Sequence, residues 1–313
     1  MISTRKPWLG WTLVIMSSLL FGLNASTTKA MVLAGFGPSF IVPFRSTATA
    51  VLALIVVLIV SPKALKITWR QLLPMAAFGV IGVAMMQWSY TNAVSRLPVG
   101  ISLLIEYTSA IMLPLVNWLV FNKPAKRELW LGVAIAMVGL VLVSNFWNAT
   151  LNSLGVLFAA MTAVFVTAYF LMAERIQLKR DLWSTLFYSM SFSAAFWWLV
   201  QPPKPTDIPD LNHVFNLGGN LTQTEVSGWV ALAWMAVFGS FVPMAFNYLA
   251  VRHIDSNSMG LGSISEVVFA FIFGWLWLRE SVNGIQLVGS LFVLAGMVVA
   301  QLATQRTMEL TND

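Results

Sequence analysis

The sequence predicts an all-α polytopic membrane protein, with ten transmembrane helices arranged as two inverted five-helix repeats. Three observations carry that expectation. Of 313 residues, 58% are hydrophobic and only 10% are charged, against roughly 45–50% and about 25% in soluble domains. Apolar stretches of roughly 20 residues, the length of one bilayer crossing, recur from end to end. The chain also resembles itself when slid by 157 positions.

In chain order, the apolar stretches predict helices over Trp8–Ala30, Pro38–Val60, Leu72–Ala93, Pro98–Phe121, Leu129–Phe146, Leu154–Ala173, Leu182–Val200, Val226–Val251, Ser258–Leu278 and Gly284–Ala303. The first is long for a signal-peptide core and lacks a small-residue cleavage site, so it is expected to be retained. Pro38 and Pro98 stand at helix starts, where a missing N–H costs nothing. Pro74, Pro114 and Pro243 lie inside spans and should kink or open them.

With the N-terminus inside, thirteen basic residues fall on the cytoplasmic side: Arg5, Lys6, Lys63, Lys66, Arg70, Lys123, Lys126, Arg127, Arg175, Lys179, Arg180, Arg252 and Arg306. Only Lys29, Arg96, Lys204 and Arg279 fall outside. That bias predicts cytoplasmic termini in an inner-membrane protein. The positive balance, 18 Lys and Arg over 12 Asp and Glu, therefore speaks for loop anchoring in a lipid bilayer and not for nucleic-acid binding. The longest connection, 201–225, falls outside and is acidic. It is read as a tolerated insertion in preference to a partly ordered lid.

At the 157-residue offset Ala93 meets Ala250, Trp118 meets Trp275, Leu119 meets Leu276, Gly132 meets Gly289, Gly139 meets Gly296 and Val141 meets Val298. The expected domains are a first repeat over 1–148 and a second over 149–313. Five helices per half is an odd number, so the second half enters the membrane from the opposite side. In secondary transporters built this way the substrate site lies near the midplane, where the halves meet. Gly132 and Gly139, like Gly289 and Gly296, are spaced by seven and mark close packing of the fifth and tenth helices, which are expected outside any cavity.

The segments Ile101–Val143 and Ser258–Ala300 each read as a helix, a short charged corner and a Gly-spaced helix. The second, with Ser265-Glu266-Val267-Val268, Leu278-Arg279-Glu280, Gly289 and Gly296, resembles the EamA domain of the drug/metabolite transporter superfamily. Arg45 and its following small residues resemble the Arg of that domain's second helix. Ile105-Glu106-Tyr107-Thr108 is similar to a Leu-Glu-Phe-Thr segment of amino-acid exporters of the threonine/homoserine type, and aromatic-amino-acid exporters are close in kind. Two positions depart from the family. Val267 stands where a Pro usually follows the Glu, which leaves the helix break made there in relatives without its usual cause. Lys123 replaces the acidic residue usual at the corner after the fourth helix.

Charges inside spans are costly, about 2.5–3.5 kcal/mol at a helix centre, so each is a functional candidate. Glu106 and Glu266 each lie about 12 Å deep, from opposite faces of a core about 30 Å thick, and so near its midplane. Arg45, nearer the outer side, is expected either to pair with one of them or to snorkel. Asn24 in the stripe Ser17, Phe21, Asn24 and Thr28, Gln87 with Tyr90, and Tyr107, Tyr169, Asn247, Tyr248 and Ser263 complete a candidate substrate-binding or coupling set.

The absence of Cys and the presence of only two His leave no expected metal or cofactor site. An intramembrane hydrolase is disfavoured because His213 and His253 fall in loops and no Asp lies in a span. The resemblance implies a secondary transporter and not an enzyme, exporting a small molecule such as an amino acid or amphipathic metabolite by alternating access, with protons as a coupling ion. A proton-coupled importer and a broad drug exporter are alternatives within that class. A non-transporting receptor or structural subunit is the alternative outside it. No oligomeric state is implied.

Overall fold

A computed structural model describes residues 6–97, 99–123, 125–144, 152–177, 180–202, 210–212, 214–278 and 284–309, with backbone alone at 143, 144 and 300–309. Pro98, Pro124, Lys204, His213 and the corner Arg279-Glu280-Ser281 lie outside the described residues. Among the described residues the helices are α1 (Pro7–Leu33), α2 (Pro38–Val60), α3 (Trp69–Val94), α4 (Val99–Phe121), α5 (Arg127–Ser144), α6 (Ser153–Gln177), α7 (Leu182–Val200), α8 (Gly228–Ala250), α9 (Ser256–Trp277) and α10 (Gly284–Glu309). Seven of them, α1–α4, α6, α8 and α9, are long and apolar enough to cross a membrane. Many helix starts are capped locally. Asp181, Ser227 and Asp255 accept backbone N–H groups of α7, α8 and α9, and Asn152 accepts the Gly155 N–H of α6.

The packing exchanges elements between halves. α1 lies against α8 and α9, while α6 lies against α3 and α4; α2 pairs with α7 and α5 with α10. The glycines make the last pairing close. A Cβ at Gly139 would come within 2.5 Å of the Gly289 carbonyl oxygen and 2.6 Å of the Val293 nitrogen, and one at Gly296 within 2.5 Å of the Gly132 oxygen and 2.7 Å of the Ala136 nitrogen.

Two helices change their winding. α3 is a π-helix over Phe78–Ala84 and α8 over Val237–Phe241. At the 157-residue offset the second segment falls on Val80–Ala84, within the first. Pro74 precedes one and Pro243 follows the other, so the expected openings take the form of π segments. Pro43, inside α2, was not among the expected kinks.

The all-α expectation needs one correction. The outer connection carries a two-stranded antiparallel hairpin, β1 (Val214–Asn216) and β2 (Glu225–Ser227). Its turn depends on the left-handed Gly218 and Gly219, with φ of 74° and 57°, and on Asn216, whose Oδ1 accepts the Gly218 N–H at 2.7 Å. The hairpin is fastened down. Phe215 packs on Phe36 with ring centroids 5.9 Å apart, the Trp277 indole donates to the Leu217 carbonyl at 3.0 Å, and the Asn220 amide donates to the Leu276 carbonyl at 2.8 Å.

Gly139→Val and Gly296→Val are each expected to cost about 1–3 kcal/mol by forcing two backbones apart, read as a lower unfolding midpoint in detergent. Gly284→Ala, which meets open space, should leave the midpoint unchanged.

Candidate functional site

Six helices, α1, α3, α4, α6, α8 and α9, surround one cavity, with Arg45 entering from α2. Its free volume is about 80 Å³, room for roughly half a dozen waters. Among the described residues, no lining side chain comes from α5 or α10.

The floor is built where two helices break. α4 loses its regular winding at Tyr107 and Thr108, and α9 at Ile264. Each break is held by a hydroxyl. Thr108 Oγ1 donates to the Ile105 carbonyl at 2.6 Å, and Ser265 Oγ donates to the Gly262 carbonyl at 2.8 Å. Thr108 and Ser265 are partners at the 157-residue offset, and so are Ile105 and Gly262. Tighter bonds three residues apart accompany them, from the Thr108 N–H to the Ile105 oxygen and from the Ile264 N–H to the Leu261 oxygen, both at 3.2 Å. The break in α9 thus survives without the Pro that Val267 replaces, because a serine side chain and a 3₁₀-type turn take over the carbonyls.

Glu106 and Glu266 sit beside these breaks and face the same cavity. The Tyr107 hydroxyl donates to Glu266 Oε2 at 2.7 Å, joining α4 to α9. Gly22 lets α1 approach the same place, since a Cβ there would lie 2.7 Å from the Ala270 nitrogen and 3.0 Å from the Glu266 carbonyl oxygen.

Arg45 does not snorkel; it lies within electrostatic reach of Glu266 but spends its hydrogen bonds elsewhere. It is 4% exposed, which excludes snorkelling, and its hydrogen bonds go to α8. Its Nε donates to Ser240 Oγ at 2.7 Å and a terminal nitrogen donates to the Gly239 carbonyl at 2.9 Å. Pro243 has no N–H to offer the carbonyl four residues before it, and that carbonyl is Gly239's. Arg45 therefore supplies the donor that the proline lacks. Ser17 Oγ donates to the Pro243 carbonyl at 2.9 Å, tying α1 to the same region.

Of the candidate set, Glu106, Glu266, Arg45, Asn24, Gln87, Tyr90, Tyr107, Tyr169, Asn247 and Ser263 all line the cavity. Tyr248 stands apart. It is fully buried behind the wall, its hydroxyl 2.8 Å from Ser189 Oγ on α7 and its ring against Phe78 and Tyr169. Sequence reasoning missed Met86, Val166, Phe170 and Met244, which line the wall but read as ordinary core residues. It also missed Ser240 and the break-holding role of Thr108 and Ser265. Their one signal was the 157-residue register that pairs Thr108 with Ser265.

Asn24 Oδ1, Gln87 Oε1, Asn247 Oδ1 and Glu106 Oε2 are buried and have no protein partner. The amide groups of Asn24, Gln87 and Asn247, with Arg45 and Tyr90, also bring donors to the lining. The two carboxyl groups suit a ligand that offers donors or positive charge. Phe21, Tyr90, Tyr107, Tyr169 and Phe170 provide an apolar and aromatic surround for the ligand's body. No group of three or more His, Asp or Glu able to hold a metal occurs among the described residues.

The EamA-like transporter family model matches the chain twice, over residues 8–145 and 153–301. The chain belongs to the EamA-like transporter family. As a member of that family it is an integral membrane transporter and not an enzyme. It is similar to Protein PecM of Dickeya dadantii, with 23% identity over 67% of each chain. It is also similar to an uncharacterized transporter of Archaeoglobus fulgidus, with 21% identity over 74% of this chain and 76% of the other. A WAT1-related chloroplastic protein of Arabidopsis thaliana shares 22% identity over 93% of this chain and 69% of its own length. A solved crystal structure superposes with a TM-score of 0.70 at 15% identity, covering 95% of this chain and 98% of the other, and shares the fold. In this EamA-like chain the two matched copies bring one interrupted helix each, α4 and α9, to the cavity.

Arg45→Gln is expected to leave the Gly239 carbonyl or Ser240 hydroxyl under-bonded and to cost about 1–3 kcal/mol. The measurement is the unfolding midpoint in detergent, with Arg45→Lys recovering part of the loss.

Proposed function

We propose that this protein is a secondary transporter that exports amino acids or related amphipathic small metabolites across the cytoplasmic membrane by alternating access. In this reading, ten spans form two inverted repeats, 1–148 and 149–313, with both termini cytoplasmic. The reciprocal packing of α1 on α8 and α9 and of α6 on α3 and α4 supports the inverted arrangement, as does the mutual Gly contact of α5 with α10.

One observation carries the functional reading. Two helices of opposite repeats break at register-matched positions and deliver two carboxyl groups, Glu106 and Glu266, to one cavity with aromatic walls. A primary ammonium offers three donors and a positive charge, and so matches that set. Aromatic walls accommodate a side chain. Protons, taken up by the same carboxylates, are the proposed coupling ion. The Phe, Tyr and Met content of the wall favours export of a broader range of amphipathic cations as the second reading.

In proteoliposomes, counterflow of labelled amino acids is expected for the unaltered protein. Glu106→Gln and Glu266→Gln are each expected to lower it about tenfold or more, the equivalent of about 1.4 kcal/mol in substrate affinity. Undiminished counterflow in both variants would remove the carboxylates from the mechanism. Counterflow of organic cations with none of any amino acid would favour the second reading.

A further inference from the structure

The cavity that receives Glu106 and Glu266 also holds a cation. Arg45 donates from Nε to Ser240 Oγ and from one terminal nitrogen to the Gly239 carbonyl, which leaves its other terminal nitrogen with no hydrogen bond to any described residue. No Arg45 nitrogen is both sealed and without a partner. The spare nitrogen therefore keeps accessible surface, on a side chain that lines the cavity. The Tyr90 hydroxyl, brought by α3, is in the same condition: it bonds to no described residue, is not sealed, and belongs to a lining side chain. Arg45 and Tyr90 stand within electrostatic reach of each other. Two donors from different helices thus border one space with hydrogen-bonding capacity left over.

The carboxyl groups border that space with acceptors. Glu106 makes no hydrogen bond to a described residue, and only its Oε2 is sealed, so Oε1 is the oxygen that meets the cavity. Glu266 accepts the Tyr107 hydroxyl at Oε2 and keeps Oε1 open. In contact, a guanidinium and a carboxylate form a short, often bidentate pair. Arg45 instead lies within electrostatic reach of Glu266 while its hydrogen bonds go to α8. Backbone repair holds the one and Tyr107 holds the other, so opposite charges face the same cavity without closing on each other. A group that carries both charges fits between them. An amine without a carboxylate would answer the glutamates and bring nothing to Arg45.

We propose that Arg45 and Tyr90 form the seat for the α-carboxylate of a zwitterionic amino acid whose ammonium lies at Glu106 and Glu266. This rests on the amino-acid reading above and narrows it, because the carboxylate becomes a requirement for recognition. Guanidinium N–H and phenol O–H groups both suit carboxylate oxygens, and such bonds strengthen in surroundings of low dielectric. Arg45 has separate nitrogens for its two tasks. Its bonds to Ser240 and Gly239 fix the guanidinium before a ligand arrives, which lowers the cost of ordering it on binding. Phe21, Met86, Phe170 and Met244 leave an apolar wall for the side chain, so phenylalanine, leucine and methionine are suitable probes.

The test uses the unaltered full chain in proteoliposomes. Counterflow of labelled phenylalanine, leucine and methionine is measured against rising concentrations of the unlabelled amino acid, the amine left when its carboxylate is removed, and its carboxamide. The amine and the carboxamide are each expected to inhibit about tenfold more weakly or worse than the amino acid, the loss of one or more charge-assisted bonds. Tyr90→Phe removes one donor without touching the bonds of Arg45 to α8, and is expected to weaken phenylalanine severalfold while leaving inhibition by phenylethylamine where it was. Arg45→Lys should narrow the gap between the two further. Equal inhibition by amino acid and amine in the unaltered protein would overturn the carboxylate seat and leave amino-acid export standing. An unchanged preference for phenylalanine over phenylethylamine in both variants would remove Arg45 and Tyr90 from it. Counterflow of none of the three amino acids would instead remove the reading on which the seat rests, and the seat with it.

Discussion

A helix opened in apolar surroundings exposes backbone groups that water cannot reach, and each such group must find a partner inside the protein. This constraint governs the centre of the molecule. Thr108 and Ser265 turn their hydroxyls back onto Ile105 and Gly262, and Arg45 crosses from α2 to serve the Gly239 carbonyl. Thr108 and Ser265 do this from outside the cavity lining, and Arg45 from within it. They make it affordable to have irregular backbone where Glu106 and Glu266 must face a cavity.

The same logic explains how polar residues are divided. Those that repair backbone are satisfied within the protein. Asn24, Gln87, Asn247 and Glu106 each keep one oxygen unpaired, at a desolvation cost that the fold bears and that a bound donor would relieve. On α9 the two tasks fall to neighbouring side chains, Ser265 bonding the Gly262 carbonyl and Glu266 facing the cavity, whereas Arg45 does both.

Much of this was legible in the sequence. Spans could be read because a 20-residue apolar run has few other uses. The carboxylates stood out because charge inside a span is rare. The 157-residue register was visible because α3–α5 and α8–α10 follow it without a gap. α1 and α2 are aligned with α6 and α7 by a shorter offset, since the hairpin insertion falls between α7 and α8, and that part of the repeat escaped notice. The hydrogen-bond partner of Arg45, a carbonyl freed by Pro243, was not legible because it belongs to a backbone that only folding brings near. Tyr248 turns from α8 towards Ser189 on α7, while its neighbour Asn247 faces the cavity, and adjacent positions on an apolar helix gave no sign of which would do so. Val267 removed a signal for a break that hydroxyl groups maintain. Side-chain repair by Ser or Thr leaves little mark in an apolar sequence, where both residues also serve as plain packing.

The meeting of α5 and α10 also limits how the molecule can deform. Their backbones touch at two glycine positions on each helix, and sliding either helix along its axis would drive a carbonyl into the side chains flanking Gly139 or Gly296. The pair is therefore latched against axial sliding, and among the described residues it lends no side chain to the cavity.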